Sequence, residues 1–196
     1  GRVVTTACYA EKYSSDCAVN REKWRACGGE ILSDIPCGKV YALIVDCLFG
    51  TGLRGGLEGE NERWVAEINA QKKRGAKVLS ADIPSGLCGD NGIAKGGAVC
   101  ADVTLCIGEI KAGVLMADGL DLAGEVKRAD VGIVLPEREY ARRMESAGAK
   151  ALLPMRKRNA HKGTFGKAAI VAGSIEYTGA AYLSATAAAC LRSGAG

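Results

Sequence analysis

Residues Val40–Gly56 read VYALIVDCLFGTGLRGG, and this stretch contains the pattern that decides the fold. An apolar run, Tyr41–Val45, ends at Asp46 and is followed by a glycine-rich loop that carries Thr51 and Arg54. Apolar runs of this length, rich in Ile and Val and bounded by Gly, are typical of buried strands in a parallel sheet. Because ligands bind outside the carboxyl ends of such strands, Asp46 and the loop amides predict a binding site.

Strand patterns alternate with helix patterns on both sides of this stretch. Strands are predicted at 2–8, 30–32, 77–81 and 103–107, with a last one at 125–129 or 131–135. Helices are predicted at 16–27, with Ser14 or Ser15 as the N-cap, and at 61–74, where acidic residues lie at the start and basic residues at the end. The alternation predicts βαβ units and an α/β fold with a mostly parallel sheet.

The C-terminal part of the sequence predicts a second unit. A polar helix at 137–147 and a basic, irregular linker at 150–162 come first. A strand at 167–172, a Gly-Ser turn and an alanine-rich helix at 180–192 then give the order strand, glycine turn, helix once more. We therefore expect two partial domains, 1–149 and 150–196.

Composition narrows the class of protein. The 196 residues are 48% hydrophobic and 24% charged with a net charge of +4, which is typical of a globular protein and gives no nucleic-acid-binding stripe. No apolar run is long enough to span a membrane. Nine cysteines and a single histidine form no zinc-binding pattern, and the odd cysteine count favours reduced thiols in the cytoplasm.

Three predicted strand ends carry side chains suited to chemistry. Asp46 with Thr51, Asp82 with Ser85, and Lys111 all follow strands, and parallel strands place their carboxyl ends at one edge of the sheet. Each aspartate taken alone fits a turn or an N-cap. Together they favour an oxygen site for a hard cation or an acid–base pair, and Lys111 is either a surface lysine or a substrate contact.

The loop Gly50–Gly55 matches the pattern G-x-G-x-x-G. A dinucleotide fingerprint would open its helix within the glycines, whereas here the predicted helix begins several residues later. One interpretation is a turn that needs glycine torsion angles. We favour binding of an anion or nucleotide by the loop amides, and we consider a hydride-transferring Rossmann domain less well supported.

Three motifs carry a family resemblance. VDCLFGTGL around Asp46, ADIPSGL at Ala81–Leu87 and IGEIKAG at Ile107–Gly113 resemble the NAD(P)H-hydrate epimerase family. The segment that begins at His161, HKGTFGKAAIVAGSIEYTGAAYLSATAAACLRSGAG, is similar to the opening of the ADP-dependent NAD(P)H-hydrate dehydratases. In this order the two resemble bifunctional nicotinamide nucleotide repair enzymes. The resemblance implies a Rossmann-like three-layer parallel sheet, followed by the first elements of a ribokinase-like α/β domain.

The resemblance also implies an activity. The epimerase would interconvert the R and S forms of hydrated NADH and NADPH, and the dehydratase would remove water from the S form with ADP, or ATP in some members. A cytoplasmic homo-oligomer is expected, without nucleic acid or membrane as partner. Two rival classes are a non-enzymatic, dimerising RNA-associated scaffold and a nicotinamide-dependent oxidoreductase.

Site residues follow from the same resemblance. Asp46 and Ser85 would hold a potassium ion, and Asp82 would contact the substrate. Ala180 would line the dehydratase pocket. Our own hypothesis from the residues is that Asp82 transfers a proton at the nicotinamide ring, with Lys111 nearby. The loop that would bind the dinucleotide consists of Gly50, Thr51, Gly52, Leu53, Arg54, Gly55 and Gly56.

The sequence also departs from the family pattern. An Asn-Asn-Gly-Gly-Asp-Gly type loop, which supplies another potassium ligand in the family, would precede Gly1. The ADP-binding loop and the catalytic aspartate of the dehydratase would follow Gly196. We therefore expect the chain to be a fragment that is a poor epimerase and no dehydratase by itself.

Overall fold

The computed structural model describes residues 4–8, 13–36, 38–53, 55–133, 144–153, 155, 158–161, 163–164 and 167–193. The chain divides into two compact units, Gly1–Pro136 and Glu137–Gly196. This division falls earlier in the chain than the boundary near Lys150 that the sequence predicts. The assignment of the two parts to two functional domains stays a prediction.

The first unit contains six strands in its described residues, arranged in two parallel sheets. Two short strands pair with each other, and the other four form a sheet in chain order, β3-β4-β5-β6. This arrangement confirms the predicted α/β fold with parallel strands. The strands are β1 (Thr6–Ala7), β2 (Ile31–Leu32), β3 (Leu43–Asp46), β4 (Lys77–Ala81), β5 (Val103–Ile107) and β6 (Glu125–Ala129).

Two helices of the first unit agree with their sequence signals. Helix α1 covers Ser15–Ala26, and the hydroxyl of Ser14 accepts a hydrogen bond from the Cys17 amide at 3.3 Å. Such an N-cap contributes about 1 kcal/mol to helix stability. Helix α2 covers Glu60–Lys73, with acidic residues in its first turn and basic residues in its last, as the helix dipole favours.

The apolar face of α2 packs on the four-stranded sheet. Val65 and Ile68 from the helix meet Val78 from β4 in one buried cluster, and Trp64 of the same helix is also buried. Burying an aliphatic side chain of this size contributes about 1.5–3 kcal/mol. Because α2 connects β3 to β4, this packing fixes the end of β3 beside the end of β4.

Two short helical segments were not predicted. After β5 the chain forms a 3₁₀ helix, Ala112–Leu115, and a single turn of α-helix, α3 (Gly119–Leu122). Neither segment is long enough to show a hydrophobic period in the sequence. They complete a second buried cluster, in which Val114 packs with Ile83 and Leu87.

The second unit differs from its prediction at two places. Helix α4 (Ser146–Leu152) continues through Gly148 into the predicted linker 150–162, because the following Ala-Lys-Ala-Leu is a good helix-forming run. The predicted strand at 167–172 is wrong, since those residues pair with no other described part of the chain as a strand, and Val171 is fully exposed. A strand forms its hydrogen bonds with a neighbouring strand, and the local sequence pattern does not reveal whether such a neighbour is present.

One helix of the second unit confirms its prediction. Helix α5 covers Gly179–Ser193 and confirms the helix predicted at 180–192. Most of the helix predicted at 137–147 lies outside the described residues, in 134–143.

Among the residues that the structure describes, no helix combines the length and the apolar character that a membrane span requires. None of the eight cysteines in the same residues is part of a disulfide.

Candidate active site

The candidate site lies at the carboxyl edge of the four-stranded sheet. Strand β3 ends at Asp46, Asp82 directly follows β4, and Lys111 lies four residues after the end of β5. All pairings between these strands are parallel, so their carboxyl ends lie at the same edge. Of the five polar side chains that the sequence predicts there, Asp46, Asp82 and Lys111 lie at this edge, Ser85 joins them through the loop after β4, and Thr51 is exposed in the glycine loop.

Asp46 is buried, with 1% of its surface exposed. Its Oδ2 accepts hydrogen bonds from the Ser80 hydroxyl at 2.8 Å and the Ser85 amide at 2.9 Å. Its Oδ1 accepts from the Ser85 hydroxyl at 2.6 Å and the Leu48 amide at 3.3 Å. A carboxylate offers about four acceptor positions, and protein donors use all of them. Asp46 thus ties three segments of chain together.

Ser85 joins the loop after β4 to the loop after β3. Its hydroxyl oxygen accepts a hydrogen bond from the Phe49 amide at 2.9 Å and lies 3.4 Å from the Phe49 carbonyl oxygen. Its own carbonyl accepts from the Val99 amide at 2.9 Å. The position of Phe49, directly before the glycine loop, therefore depends on Ser85 and through it on Asp46.

Asp82 and Lys111 form an ion pair at the open end of the site. Asp82 Oδ1 accepts hydrogen bonds from the Lys111 ammonium and from the Ile107 amide, the latter at 3.0 Å. Lys111 also donates to the Ile107 carbonyl at 2.7 Å. The side chains are 19% and 21% exposed, so the pair is mostly enclosed yet reachable. Within the described part of the chain, no donor binds Oδ2, which leaves that oxygen available to a ligand.

The backbone of Asp82 is unusual, with φ at +72°. This left-handed conformation costs roughly 1 kcal/mol for a residue with a side chain, although aspartate and asparagine tolerate it better than most. Non-glycine residues in such conformations cluster at functional sites. Here the conformation is held by the hydrogen bond of the Asp82 amide to Leu105 at 2.8 Å and by the Asp82 carboxylate contacts.

The glycine loop approaches the free oxygen of Asp82. A methyl group added at Gly50 would lie 3.6 Å from Asp82 Oδ2, whereas one added at Gly52 would meet nothing within 4 Å. At Gly56 an added methyl group would come within 2.9 Å of the Lys95 carbonyl, so this glycine permits a close approach of two chain segments. Gly50 therefore leaves open the space in front of Asp82.

The rest of the predicted loop has a simpler description. Thr51 is exposed, Leu53 packs against the core cluster around α2, and Gly55 has φ at +92°. Arg54 lies outside the described residues. Helix α2 begins only at Glu60, which confirms that its start lies several residues after the loop.

One predicted site residue, Ala180, lies in the second unit. Ala180 is in the first turn of α5 and is exposed. The His161 ring nitrogen Nδ1 accepts a hydrogen bond from the Gly163 amide at 3.1 Å, within a turn. Over the described residues there is no group of three or more His, Cys, Asp or Glu side chains placed to hold a metal ion.

The oxygen atoms around Asp46 allow a test of whether the predicted potassium ion fits there. Hard cations are bound by carboxylate, hydroxyl and carbonyl oxygens, and Asp46, Ser85 and the Phe49 carbonyl supply one of each. Although Asp46 is saturated by protein donors, the Ser85 hydroxyl has a second acceptor in the Phe49 carbonyl. Turning that hydrogen toward Phe49 would free one lone pair of Asp46 Oδ1. The oxygens of Asp46, Ser85 and the Phe49 carbonyl therefore fit part of a potassium coordination shell.

Sequence reasoning missed Ser80, which is fully buried and donates to Asp46. The signal was present, because strand alternation places Ser80 on the same face as the buried Val78. Parallel pairing then sets Ser80 beside Asp46. A serine at an interior strand position calls for a hydrogen-bond partner.

Burial raises the pKa of the Cys47 thiol above its ordinary value, and the adjacent Asp46 carboxylate raises it further. Burial likewise raises the pKa of Cys106. Both thiols are therefore held in the protonated form at neutral pH, which disfavours a nucleophilic role for either of them.

Comparison with known proteins identifies the family of this chain. The family described as YjeF-related protein N-terminus matches residues 1–113. Three relatives are each named bifunctional NAD(P)H-hydrate repair enzyme Nnr. The relative from Thermofilum pendens is 41% identical over 74% of this chain and 27% of its own length. The relative from Moorella thermoacetica is 34% identical over 95% of this chain and 37% of its own length. The relative from Escherichia coli is 31% identical over 92% of this chain and 35% of its own length.

The chain thus spans about a third of the length of these curated relatives. The family match covers β1 to β5 and the residues at the carboxyl edge of the sheet from Asp46 to Lys111. The chain belongs to the family of YjeF-related protein N-termini.

Proposed function

We propose that this chain carries the epimerase site of a nicotinamide nucleotide repair enzyme, which interconverts the R and S forms of hydrated NADH and NADPH. The observation that carries the proposal is the ion pair of Asp82 and Lys111, in which the second carboxylate oxygen of Asp82, Oδ2, faces the glycine loop at Gly50. The names of the relatives support the substrate class. An oxidoreductase is not favoured by those names.

The proposed chemistry is proton transfer. The two forms differ at the ring carbon that bears the added hydroxyl group. For them to interconvert, that hydroxyl leaves with one proton as water, and water returns to the other face of the ring and gives up one proton. No electron is transferred, so an acid–base group is sufficient. Asp82 would handle this proton, and the Lys111 ammonium would hold the carboxylate in place and stabilise its charge.

The glycine loop would bind the phosphates or the ribose of the substrate. Gly50, Gly52, Gly55 and Gly56 carry no side chain that could cover the backbone amides, and amides of this kind bind anions well. Thr51 adds an exposed hydroxyl. The loop directly follows Phe49, whose amide donates to the Ser85 hydroxyl, so Ser85 anchors the start of the loop.

A potassium ion is part of the proposal. Asp46 and Ser85 would supply two of its oxygen ligands, with the Phe49 carbonyl as a third. When bound, the ion would supply positive charge beside the phosphate-binding loop.

The second activity belongs to the same proposal. The second unit would form the start of a ribokinase-like dehydratase domain that uses ADP or ATP, with Ala180 at its pocket. The relatives are named bifunctional, which supports this part. The cytoplasmic location and the homo-oligomeric state expected from the sequence remain predictions.

The test separates R and S NADH-hydrate by reversed-phase chromatography after incubation of one pure form with the protein. Interconversion above the spontaneous rate that disappears in Asp82→Asn would support the proposal. A folded protein that gives only the spontaneous rate would refute it and favour the scaffold class.

A further inference from the structure

Asp46, Ser80 and Thr104 form a row of buried polar side chains across three neighbouring strands. Asp46 of β3 pairs with Ser80 of β4, and Ser80 pairs with Thr104 of β5. Ser80 and Thr104 are fully buried, and Asp46 is 1% exposed. Parallel pairing points the three side chains to the same face of the sheet.

The two hydroxyl groups in this row have different partners. Thr104 donates to the carbonyl of Ala123 at 2.7 Å, which fastens β5 to the end of α3. Ser80 donates to Asp46 Oδ2 at 2.8 Å. Only the serine therefore acts on the carboxylate that organises the site.

The bond from Ser80 fixes which way the Asp46 carboxylate turns. Oδ2 is held by Ser80 and by the Ser85 amide, and this leaves Oδ1 directed at the Ser85 hydroxyl and the Leu48 amide. Ser85 in turn holds the amide of Phe49. Without the Ser80 hydroxyl, Oδ2 would be held by the Ser85 amide alone, and the carboxylate that joins the two loops would be held less firmly in its orientation.

We infer that Ser80 is a positioning residue, which orients Asp46 so that Ser85 and the glycine loop are held in the geometry that the substrate requires. This inference rests on the proposed function for its effect on the reaction. It concerns a residue that contacts neither the substrate nor the reacting atoms. Its structural part, the anchoring of the loop, can be measured without any activity.

The experiment compares Ser80→Ala with Thr104→Val in the protein at its natural length. Each variant removes one buried hydroxyl group and one hydrogen bond, so both lower the overall stability to a similar extent. The first readout is hydrogen exchange at the amides of Leu48, Phe49 and Ser85. We expect about tenfold faster exchange in Ser80→Ala relative to Thr104→Val, the equivalent of one lost hydrogen bond. Equal exchange in the two variants would overturn the inference.

The second readout is epimerisation of R and S NADH-hydrate. We expect a higher KM and about tenfold lower kcat/KM in Ser80→Ala, with Thr104→Val close to the unaltered protein. Faster exchange with unchanged kinetics would overturn the role in the reaction. If the unaltered protein is inactive, the proposed function fails, and the exchange data alone decide whether Ser80 anchors the loop.

Discussion

Asp82 and Lys111 form an ion pair between the ends of two neighbouring parallel strands, 29 residues apart in the sequence. One oxygen of Asp82 is occupied by Lys111 and the Ile107 amide, and the other faces the glycine loop. The arrangement therefore holds the Asp82 carboxylate in one orientation. Such fixed geometry is what proton transfer to a bound substrate needs.

Replacement of Asp82 by asparagine should slow epimerisation by about 10²–10⁴-fold, the usual contribution of an acid–base group. Asparagine tolerates the left-handed backbone conformation of this position, so the fold should be preserved. Binding of the hydrated nucleotide, measured by calorimetry, should change little, and the loss should therefore appear in kcat. Near-normal turnover would remove Asp82 from the chemistry.

Substitution of Gly50 by alanine should weaken substrate binding without loss of stability. The new methyl group would lie in ordinary contact with Asp82 Oδ2, at 3.6 Å, and would occupy part of the space in front of it. The matched control is Gly52→Ala, because a methyl group there meets nothing within 4 Å. Kinetic constants for both variants check the prediction. An equal rise of KM in the two would mean that loop flexibility, and not the space beside Asp82, determines binding.

Replacement of Asp46 by alanine should lower the free energy of unfolding by about 3 kcal/mol or more. It leaves the buried Ser80 hydroxyl and Ser85 amide without their acceptor, and each orphaned donor costs about 1–3 kcal/mol. It should also reduce the rise in melting temperature that potassium chloride causes relative to choline chloride. Denaturant and thermal unfolding measure both effects.

The control for Asp46 is Asp34→Ala, which removes an exposed carboxylate paired with Arg63. Its loss of stability should be far smaller, since exposed ion pairs contribute little. A potassium response that is unchanged in Asp46→Ala would remove Asp46 from the cation site. It would leave intact the role of Asp46 in anchoring Ser85.

The acid sensitivity of the sheet should depend on Asp102. The hydrogen bond from the Val78 amide, followed by contacts with Lys77 and Lys72, lowers the pKa of Asp102 below its ordinary value of 3.8. A lowered pKa in the folded state gives stability that is present above the unfolded pKa and is lost as the pH falls through the folded one. Asp102→Asn should therefore cost about 1 kcal/mol at pH 7. The difference should shrink below about pH 4.

Urea unfolding of the two proteins at several pH values measures this difference directly. A gap between the Asp102→Asn variant and the unaltered protein that stays constant into the acid range would show that the charge of Asp102 contributes nothing to stability.

The sheet of the first unit could be predicted because its signals are local and mutually consistent. Strands β4 and β5 have the predicted limits, Lys77–Ala81 and Val103–Ile107, since each is a short apolar run between turn residues. The predicted strand at 167–172 has the same local pattern, yet it has no partner strand among the described residues. A sequence pattern specifies which residues can form a strand, whereas strand pairing depends on whether another strand lies beside them.

The residues of the site could be predicted from the sequence, but the hydrogen bonds among them could not. The rule that strand ends meet at one edge brought Asp46, Asp82 and Lys111 together. It could not show that four donors saturate Asp46, whereas Asp82 Oδ2 has no donor among the described residues. Nor could it identify Ser80, whose role depends on the register between β3 and β4.

The most direct measurement incubates pure R or pure S NADH-hydrate with the protein at its natural length, in potassium chloride or in choline chloride, and follows both forms by chromatography. We predict rapid conversion to a mixture of the two in potassium chloride, slower conversion in choline chloride, and no conversion above the spontaneous rate with Asp82→Asn. Conversion at the spontaneous rate by the unaltered, folded protein would contradict the assignment of this site as an epimerase.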